Sequence, residues 1–330
     1  MPAKLRDVAQ KAGVSIKTVS RVVNHQGELA ESTRARVLVA IAELGYRPSK
    51  LARALVTHRT DTIGLVLGDI TNPFFPEVAR GVLDVAEPLG YSVFLCHSDG
   101  DHQREIRSLH SLADHAVDGI IIFPTYELEE MLDQVAVSGR PLVSVNRPLN
   151  SPWASSVMIH SYRGGRMAVA HLLARQHRTI AMLAGPTADA HRLRRTKGYR
   201  DALLEHGVPV REEWIVPGAP IQARGRESAR ELLLRYPEIT AIVAYNDLLA
   251  LGAMQACNEL GRRVPDDCAI VGFDDIPLVD SISPSLTTVR VDKYGLGRQA
   301  MNRLLQMLAK PGVELEPIWL DVELMVRQSA

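Results

Sequence analysis

The sequence predicts an α/β protein in which a two-lobed, doubly wound core follows a small all-α helix-turn-helix domain at the N-terminus. Three observations carry that prediction. With 330 residues, 46% hydrophobic and 23% charged, the chain is long enough for two or three domains and too apolar to stay disordered. Its zero formal net charge conceals a division: residues 1–60 hold eleven Lys and Arg against four acids, a net of +7, and the rest of the chain carries −7. A basic head on an acidic body is the footprint of a polyanion-binding module joined to something else. From Asp61 onward, strand-like runs alternate with helix-like stretches, the pattern of parallel sheets covered on both faces.

The head reads as three helices over 1–46. Leu5, Val8, Ala9 and Ala12 make one apolar stripe, and Gly13 ends it. Ser15 is placed to cap a second helix whose Ile16, Val19, Val22 and Val23 turn inward while Lys17, Thr18, Arg21 and Asn24 turn outward. Ser32 opens a third, with Val37, Ile41 and Leu44 inward and Gly45 closing it. Lys17 and Arg21 lie four apart on one face, a like-charge pair that an anion relieves. A helix fits the major groove, where Arg and Lys pair with guanine O6 and N7 and an apolar Ile16 meets a thymine methyl. A plain solvated face is the rival reading. Residues 47–60 follow as a linker in which Arg47 to Val56 is helix-prone but too short to be stable alone, so it calls for a partner, and DNA is the candidate. Leu55 within it suits a wedge between minor-groove base steps, or packing back on the body.

Residues 61–330 read as the core. Strand-like runs begin at Thr62, Tyr91, Gly119, Pro141, Thr179, Ala241 and Ala269, with helices between them, which suggests two doubly wound lobes and a ligand cleft at the strands' carboxyl ends. The nucleotide, nucleophile-elbow and zinc-protease motifs are all missing, so an enzyme lacks its usual parts and no cofactor is expected. His97, Asp99, Asp101 and His102 resemble a metal cluster only loosely and read as turn chemistry. Cys96, Cys257 and Cys268 sit in apolar stretches and form neither a disulfide framework nor a zinc site. No apolar run reaches the roughly 20 residues of a membrane span, and the first residues do not read as a signal peptide; a cytoplasmic protein is the expectation.

Several stretches together resemble the lactose repressor (LacI/GalR) family of bacterial transcription regulators: DVAQKAGVSIKTVSRVVN from Asp7, ELGYRPSKLARAL from Glu43, IGLVLGDITNPFF from Ile63, NDLLALGAMQACNELGRRVPDD from Asn246 and IVGFDDIPLVDSISPSLTTV from Ile270. The resemblance runs over essentially the whole chain. It implies a helix-turn-helix, a hinge helix and a core similar to periplasmic sugar-binding proteins, with three crossovers between lobes. Lobe one is then about 61–159 and 290–317, and lobe two about 160–289 and 318–330. It implies a DNA-binding regulator, read as a repressor, whose affinity for double-stranded operator DNA is set by a small carbohydrate-like effector. DNA contact falls on Ser15, Ile16, Lys17, Thr18, Arg21, Asn24, Arg53 and Leu55. Effector contact falls on Phe74, Phe75, Arg195, Asn246 and Asp274, with Arg147, Trp153 and His191 as further lining. Where the family carries an Asp-Asn pair, this chain has His160 and Ser161, so an acidic ligand contact is missing, and the basic run His191 to Arg195 hints at an acidic or phosphorylated ligand. The alternating apolar residues from Ile318 to Val326 leave no room for a leucine zipper, so a homodimer is expected, with heads on half-sites roughly 34 to 36 Å apart. A sugar-binding transport protein and a sugar-modifying enzyme stay open as rivals.

Overall fold

The computed structural model describes residues 3–23, 29–46, 59–124, 139–149, 151–187 and 190–330. The chain divides into two compact units, residues 1–60 and 61–330.

In the first unit, α1 (Leu5–Ala12), α2 (Ile16–Val23) and α3 (Glu31–Leu44) enclose a core of Val8, Ala9, Ala12, Val19, Val22, Val37 and Ala40. The Asp7 carboxylate accepts a hydrogen bond from the Lys4 N–H at 2.8 Å at the start of α1, and Gly13, at φ +65°, stops the helix in the left-handed region. Ser15 caps α2, its Oγ accepting from the Thr18 N–H at 3.1 Å. Two expectations change. The Ala30 carbonyl already accepts from the N–H groups of Thr33 and Arg34, so α3 begins at Glu31 and Ser32 lies exposed inside its first turn instead of capping it. Ile16, expected inward, is 47% exposed. Val19 and Val22 fix the direction of the core, and at about 100° per residue Ile16 falls about 90° round from it. Asn24, and the expected hinge segment with Arg53 and Leu55, lie outside the described residues.

The second unit begins with β1 (Thr62–Leu67), α4 (Phe74–Ala86), β2 (Ser92–His97), α5 (His102–Asp114), β3 (Gly119–Ile122), β4 (Leu142–Val145) and β5 (Ala154–Ile159). It continues with α6 (Ser161–Ala174), β6 (Ile180–Ala184), α7 (Ala190–Glu205), β7 (Ile215–Pro217), α8 (Gln222–Arg235), β8 (Ala241–Ala244), α9 (Asp247–Glu259), β9 (Ala269–Asp274) and β10 (Thr287–Val291). Helix α10 (Lys293–Ala309) and the short strands β11 (Ile318–Leu320) and β12 (Val322–Met325) close it. One sheet has the order β11-β5-β4-β3-β1-β2 and is parallel throughout. The other has the order β12-β10-β9-β8-β6-β7, with only β12 antiparallel. Strands β1, β3, β4, β5, β6, β8 and β9 are buried along their whole length, which explains their near-continuous apolar runs.

The chain passes between the sheets after β5, after β10 and after β11, so each lobe is discontinuous and the passages are the natural hinge. The lobe limits shift at the last passages. Residues 290 and 291 finish β10 in the second sheet, and Ile318–Leu320, expected in the second lobe, pairs with Val157, Met158 and Ile159 in the first. Leu320 accepts the His160 N–H, so this short strand covers an edge that β5 leaves open. No helix among the described residues is long and apolar enough to cross a membrane.

Close helix pairs flank the sheets, and glycine lets the backbones meet. A Cβ at Gly81 on α4 collides with the Tyr294 carbonyl oxygen, and one at Gly297 on α10 collides with the carbonyl of Val78. Gly165 and Gly198 repeat the arrangement between α6 and α7, as do Gly225 and Gly252 between α8 and α9. Neither side of such a contact gives way cheaply, because the obstructing atom is backbone. Gly81→Val is therefore expected to destabilise the second unit by about 1 to 3 kcal/mol or more. Urea denaturation followed by circular dichroism checks this, and a midpoint unchanged from wild type would show that the helices separate without penalty.

Candidate functional site

A cavity of about 460 Å³ lies at the carboxyl ends of the strands of both sheets, where the loops leaving β1, β3 and β4 meet those leaving β6 and β8. One wall is aromatic. Phe74 and Phe75 open α4, with the Asn72 side chain accepting the Phe74 N–H at 3.0 Å, and Phe123 follows β3. The three rings meet edge to face, with centroids 5.2, 5.3 and 6.4 Å apart. Phe75 also occupies the space beside Gly68, which lines the cavity with it.

The facing wall is polar. Arg195 on α7 is 5% exposed, and its Nη2 lies 3.5 Å from Asp274 Oδ1 at the end of β9. It donates from Nη1 to the Tyr245 carbonyl, and its guanidinium sits 3.5 Å from the Phe273 ring centroid and 4.5 Å from that of Tyr245. Asp274 has φ +113°, a strained conformation for a residue with a Cβ. The buried Lys293 Nζ secures it by donating to the carbonyls of Asp274 at 2.9 Å and Asp275 at 2.7 Å. Asn246 caps α9: its Oδ1 accepts the Leu249 N–H at 3.0 Å, and Nδ2 donates to the Pro220 carbonyl at 3.1 Å. These two bonds leave one amide N–H and one oxygen lone pair of Asn246 unused.

Phe74, Phe75, Arg195, Asn246 and Asp274 thus come together from four separate stretches of chain. Two expected neighbours do not join them. Trp153 precedes Ala154, which pairs with Leu142 at the start of β4, so it lies at the amino end of the sheet, opposite the cavity. Arg147 follows Asn146 at the correct end but stands beyond the lining residues, its carbonyl accepting from Ser156 Oγ at 2.9 Å. The His191 side chain lies outside the described residues. Neither His160 nor Ser161 lines the cavity: the His160 ring stacks on Trp319, 4.8 Å between centroids and 20° between planes. Sequence reasoning missed Asp69, Asn146 and Tyr245, whose one signal is their place just beyond a strand's carboxyl end. Asp69 is occupied by its own turn, Oδ1 accepting from Thr71 N–H at 2.8 Å and Thr71 Oγ1 at 2.7 Å.

The loop of His97, Asp99, Asp101 and His102 is turn chemistry, since Asp101 Oδ1 accepts the Arg104 N–H at 2.7 Å to cap α5 and Asp99 accepts from His97 and Arg104. Among the described residues no group of three or more His, Cys, Asp or Glu is arranged to hold a metal ion. On α2, Lys17 and Arg21 are exposed beside Ile16, while the hydroxyls of Ser15 and Thr18 lie 2.9 Å apart within the cap.

Comparison with known proteins follows the same division. A family model described as "Bacterial regulatory proteins, lacI family" matches residues 4–49, and one described as "Periplasmic binding protein-like domain" matches residues 169–330. The chain is 37% identical over 328 residues to the ribose operon repressor of Halalkalibacterium halodurans, with 98% of this chain and 96% of that protein covered. It is 33% identical over 328 residues to the HTH-type transcriptional repressor PurR of Photobacterium profundum, covering 99% of this chain and 98% of the relative. Its structure is similar to the lac repressor dimer bound to operator and the anti-inducer ONPF, with a TM-score of 0.89, 29% identity, and coverage of 100% and 99%.

Beneath the cavity, Asp247 is fully buried, its Oδ2 accepting the Ile276 N–H at 2.8 Å and its Oδ1 lying 2.5 Å from Thr288 Oγ1. Burial, and after it the negative charge of Asp274, push its carboxyl up to about 8. The folded chain therefore keeps a proton that the unfolded chain loses above its ordinary value near 4, and Asp247 makes stability fall as pH rises from about 4 to about 8. Asp247→Asn imitates the neutral acid and is expected to remove this slope. Urea midpoints at pH 5, 6, 7 and 8 check it, and parallel curves for wild type and variant would contradict the protonated state.

Proposed function

The chain belongs to the lacI family of bacterial regulatory proteins and is a DNA-binding transcriptional regulator, and from that premise we propose how its parts divide the work. Helix α2 enters the major groove of an operator, Lys17 and Arg21 pairing with guanine O6 and N7 and Ile16 meeting a thymine methyl. The cavity takes a small effector, a sugar or sugar derivative, whose ring lies on the Phe74 and Phe75 wall while Arg195, Asn246 and Asp274 fix its hydroxyls. Effector and operator favour different lobe arrangements, so each changes the other's affinity by the same factor. The protein acts as a homodimeric repressor, two heads on two half-sites, in the cytoplasm where the DNA is, and without catalysing a reaction. The observation that carries this reading is the union in one chain of an exposed Ile16, Lys17 and Arg21 face on a helix-turn-helix with an enclosed cavity holding a buried Arg–Asp pair. Neither a transporter nor a sugar-modifying enzyme has use for such a head.

A gel shift on the DNA upstream of the chain's own gene tests the first part. Lys17→Ala and Arg21→Ala are each expected to cost about 1 to 3 kcal/mol on the operator and much less on random DNA. Equal losses on both would make these residues phosphate contacts. Asp274→Ala is expected to keep operator binding and lose the response to whichever compound a thermal-shift screen of carbohydrates identifies, and a normal response would remove Asp274 from the site. Light scattering is expected to give twice the 36.3 kDa chain mass, with a monomer or a tetramer contradicting the assembly.

A further inference from the structure

Positive charge gathers beside the cavity, and the described carboxylates do not answer it. Arg192, Arg194 and Arg195 occupy the first two turns of α7, a helix of 16 residues whose dipole adds to the potential there. Arg194 is half-buried, donates from Nη1 to the Asn146 carbonyl at 3.3 Å and lies 5.8 Å from the Trp319 ring centroid. Asn146 ends β4 and Trp319 belongs to β11, both in the first sheet, whereas α7 follows β6 of the second. Arg194 therefore reaches from one lobe to the other. There it meets Arg147, the residue after Asn146. Burial, and after it the charge of Arg147, hold the Arg194 guanidinium below its ordinary value.

Two like charges thus approach across the lobes in a half-buried setting. Among the described residues, Arg147, Arg192 and Arg194 form no ion pair, and the only carboxylate paired with any of the four arginines is Asp274, with Arg195. Among the described residues, the Nε atoms of Arg147, Arg192 and Arg195 are buried without a hydrogen-bond partner. Buried guanidinium N–H groups left unpaired are costly, and a planar fork of donors matches a carboxylate or phosphate.

We propose that the effector is an anion, a small polyol bearing a carboxylate or a phosphate, whose charged group seats between Arg147 of the first lobe and Arg194 of the second. This rests on the reading of the cavity as the effector site, with the polyol body against Phe74, Phe75 and Asp274. The anion bonds to both lobes at once, so it turns the repulsion between Arg147 and Arg194 into a clamp.

The test is isothermal titration and thermal shift of the full-length protein with paired probes: glucose against gluconate and glucose 6-phosphate, ribose against ribose 5-phosphate, and inorganic phosphate against chloride at equal ionic strength. At least one anionic probe is expected to bind more tightly than its neutral partner, and inorganic phosphate to raise the melting temperature above matched chloride. Gluconate and the phosphate esters distinguish a carboxylate from a phosphate ligand. Arg147→Gln and Arg194→Gln remove a like-charge contact and are expected to fold, and each is expected to weaken the anionic probe about tenfold or more. Neutral sugars binding as tightly as their charged partners, with Asp274→Ala abolishing that binding, overturn the anion and leave the effector cavity standing. Anionic probes that bind both glutamine variants as well as wild type, or fail to bind wild type at all, overturn the proposal. Anionic binding untouched by Asp274→Ala but lost in the glutamine variants keeps the anion seat and overturns the cavity reading.

Discussion

The larger unit is organised around a cation that has almost no water to turn to. Arg195 is 5% exposed, and an unanswered charge at that depth costs several kcal/mol. Its answer comes in three parts: the Asp274 carboxylate, the Tyr245 carbonyl, and the faces of Phe273 and Tyr245. Each part makes its own demand. Asp274 reaches Arg195 only from a backbone at φ +113°, which the fold maintains by driving the buried ammonium of Lys293 onto two successive carbonyls. Asp275 beside it is gripped by Arg290 and Arg327, both at 2.7 Å; burial alone raises its carboxyl, and these two hydrogen bonds outweigh that and hold it below its ordinary value. Residues 274 and 275 are thus held by four cationic side chains, Arg195, Arg290, Lys293 and Arg327.

The same logic explains why the neighbouring acid is neutral. Asp247 lies close enough to Asp274 to feel its charge, and among the described residues no cation pairs with it. Burial first, and after it the repulsion of the Asp274 charge, keep the proton on the acid that has no guanidinium beside it. Gly272 makes the arrangement possible, since a Cβ there strikes the Asp247 Oδ1. Of this adjacent pair, Asp274 lines the cavity, and Asp247 is a buried neutral prop that ties α9 to β10 and to the loop after β9.

Much of this was legible in the sequence because the signals were local. Helical periodicity marks Val8, Ala9 and Ala12, Gly13 stops their helix, and continuous apolar runs mark the strands buried on both faces. The errors fall where a local signal competes with geometry. Ile16 shares the spacing of the inward stripe but lies at its margin, and Ser32 is a good capping residue one turn too late. Strands β10 and β11 and helix α10 carry weaker patterns, and the limits of discontinuous lobes are a property of pairing that no single segment reveals. Among the site residues, Phe74, Phe75, Arg195, Asn246 and Asp274 came from the family resemblance and not from spacing, while Asp69, Asn146 and Tyr245, each just beyond a strand's carboxyl end, were missed. Trp153 was misjudged because sequence proximity to β4 says nothing about which end of the sheet it occupies. The meeting of Arg147 with Arg194 was invisible, since 47 residues separate them and only the passage between sheets brings them together.

That meeting bears on how a ligand in the cavity shifts the balance between lobe arrangements. A ligand shifts a conformational balance only by binding one arrangement better than another. A ligand held by one lobe alone has no such preference, however tightly it binds. Arg194 already crosses the lobe boundary through Asn146 and Trp319, so the two lobes are in contact without a ligand, and the charge of Arg147 opposes that contact. In the proposed seat an anion both adds to that attraction and neutralises the repulsion. A neutral sugar adds to the attraction without touching the repulsion, and so gains less of the difference between arrangements for the same contact area.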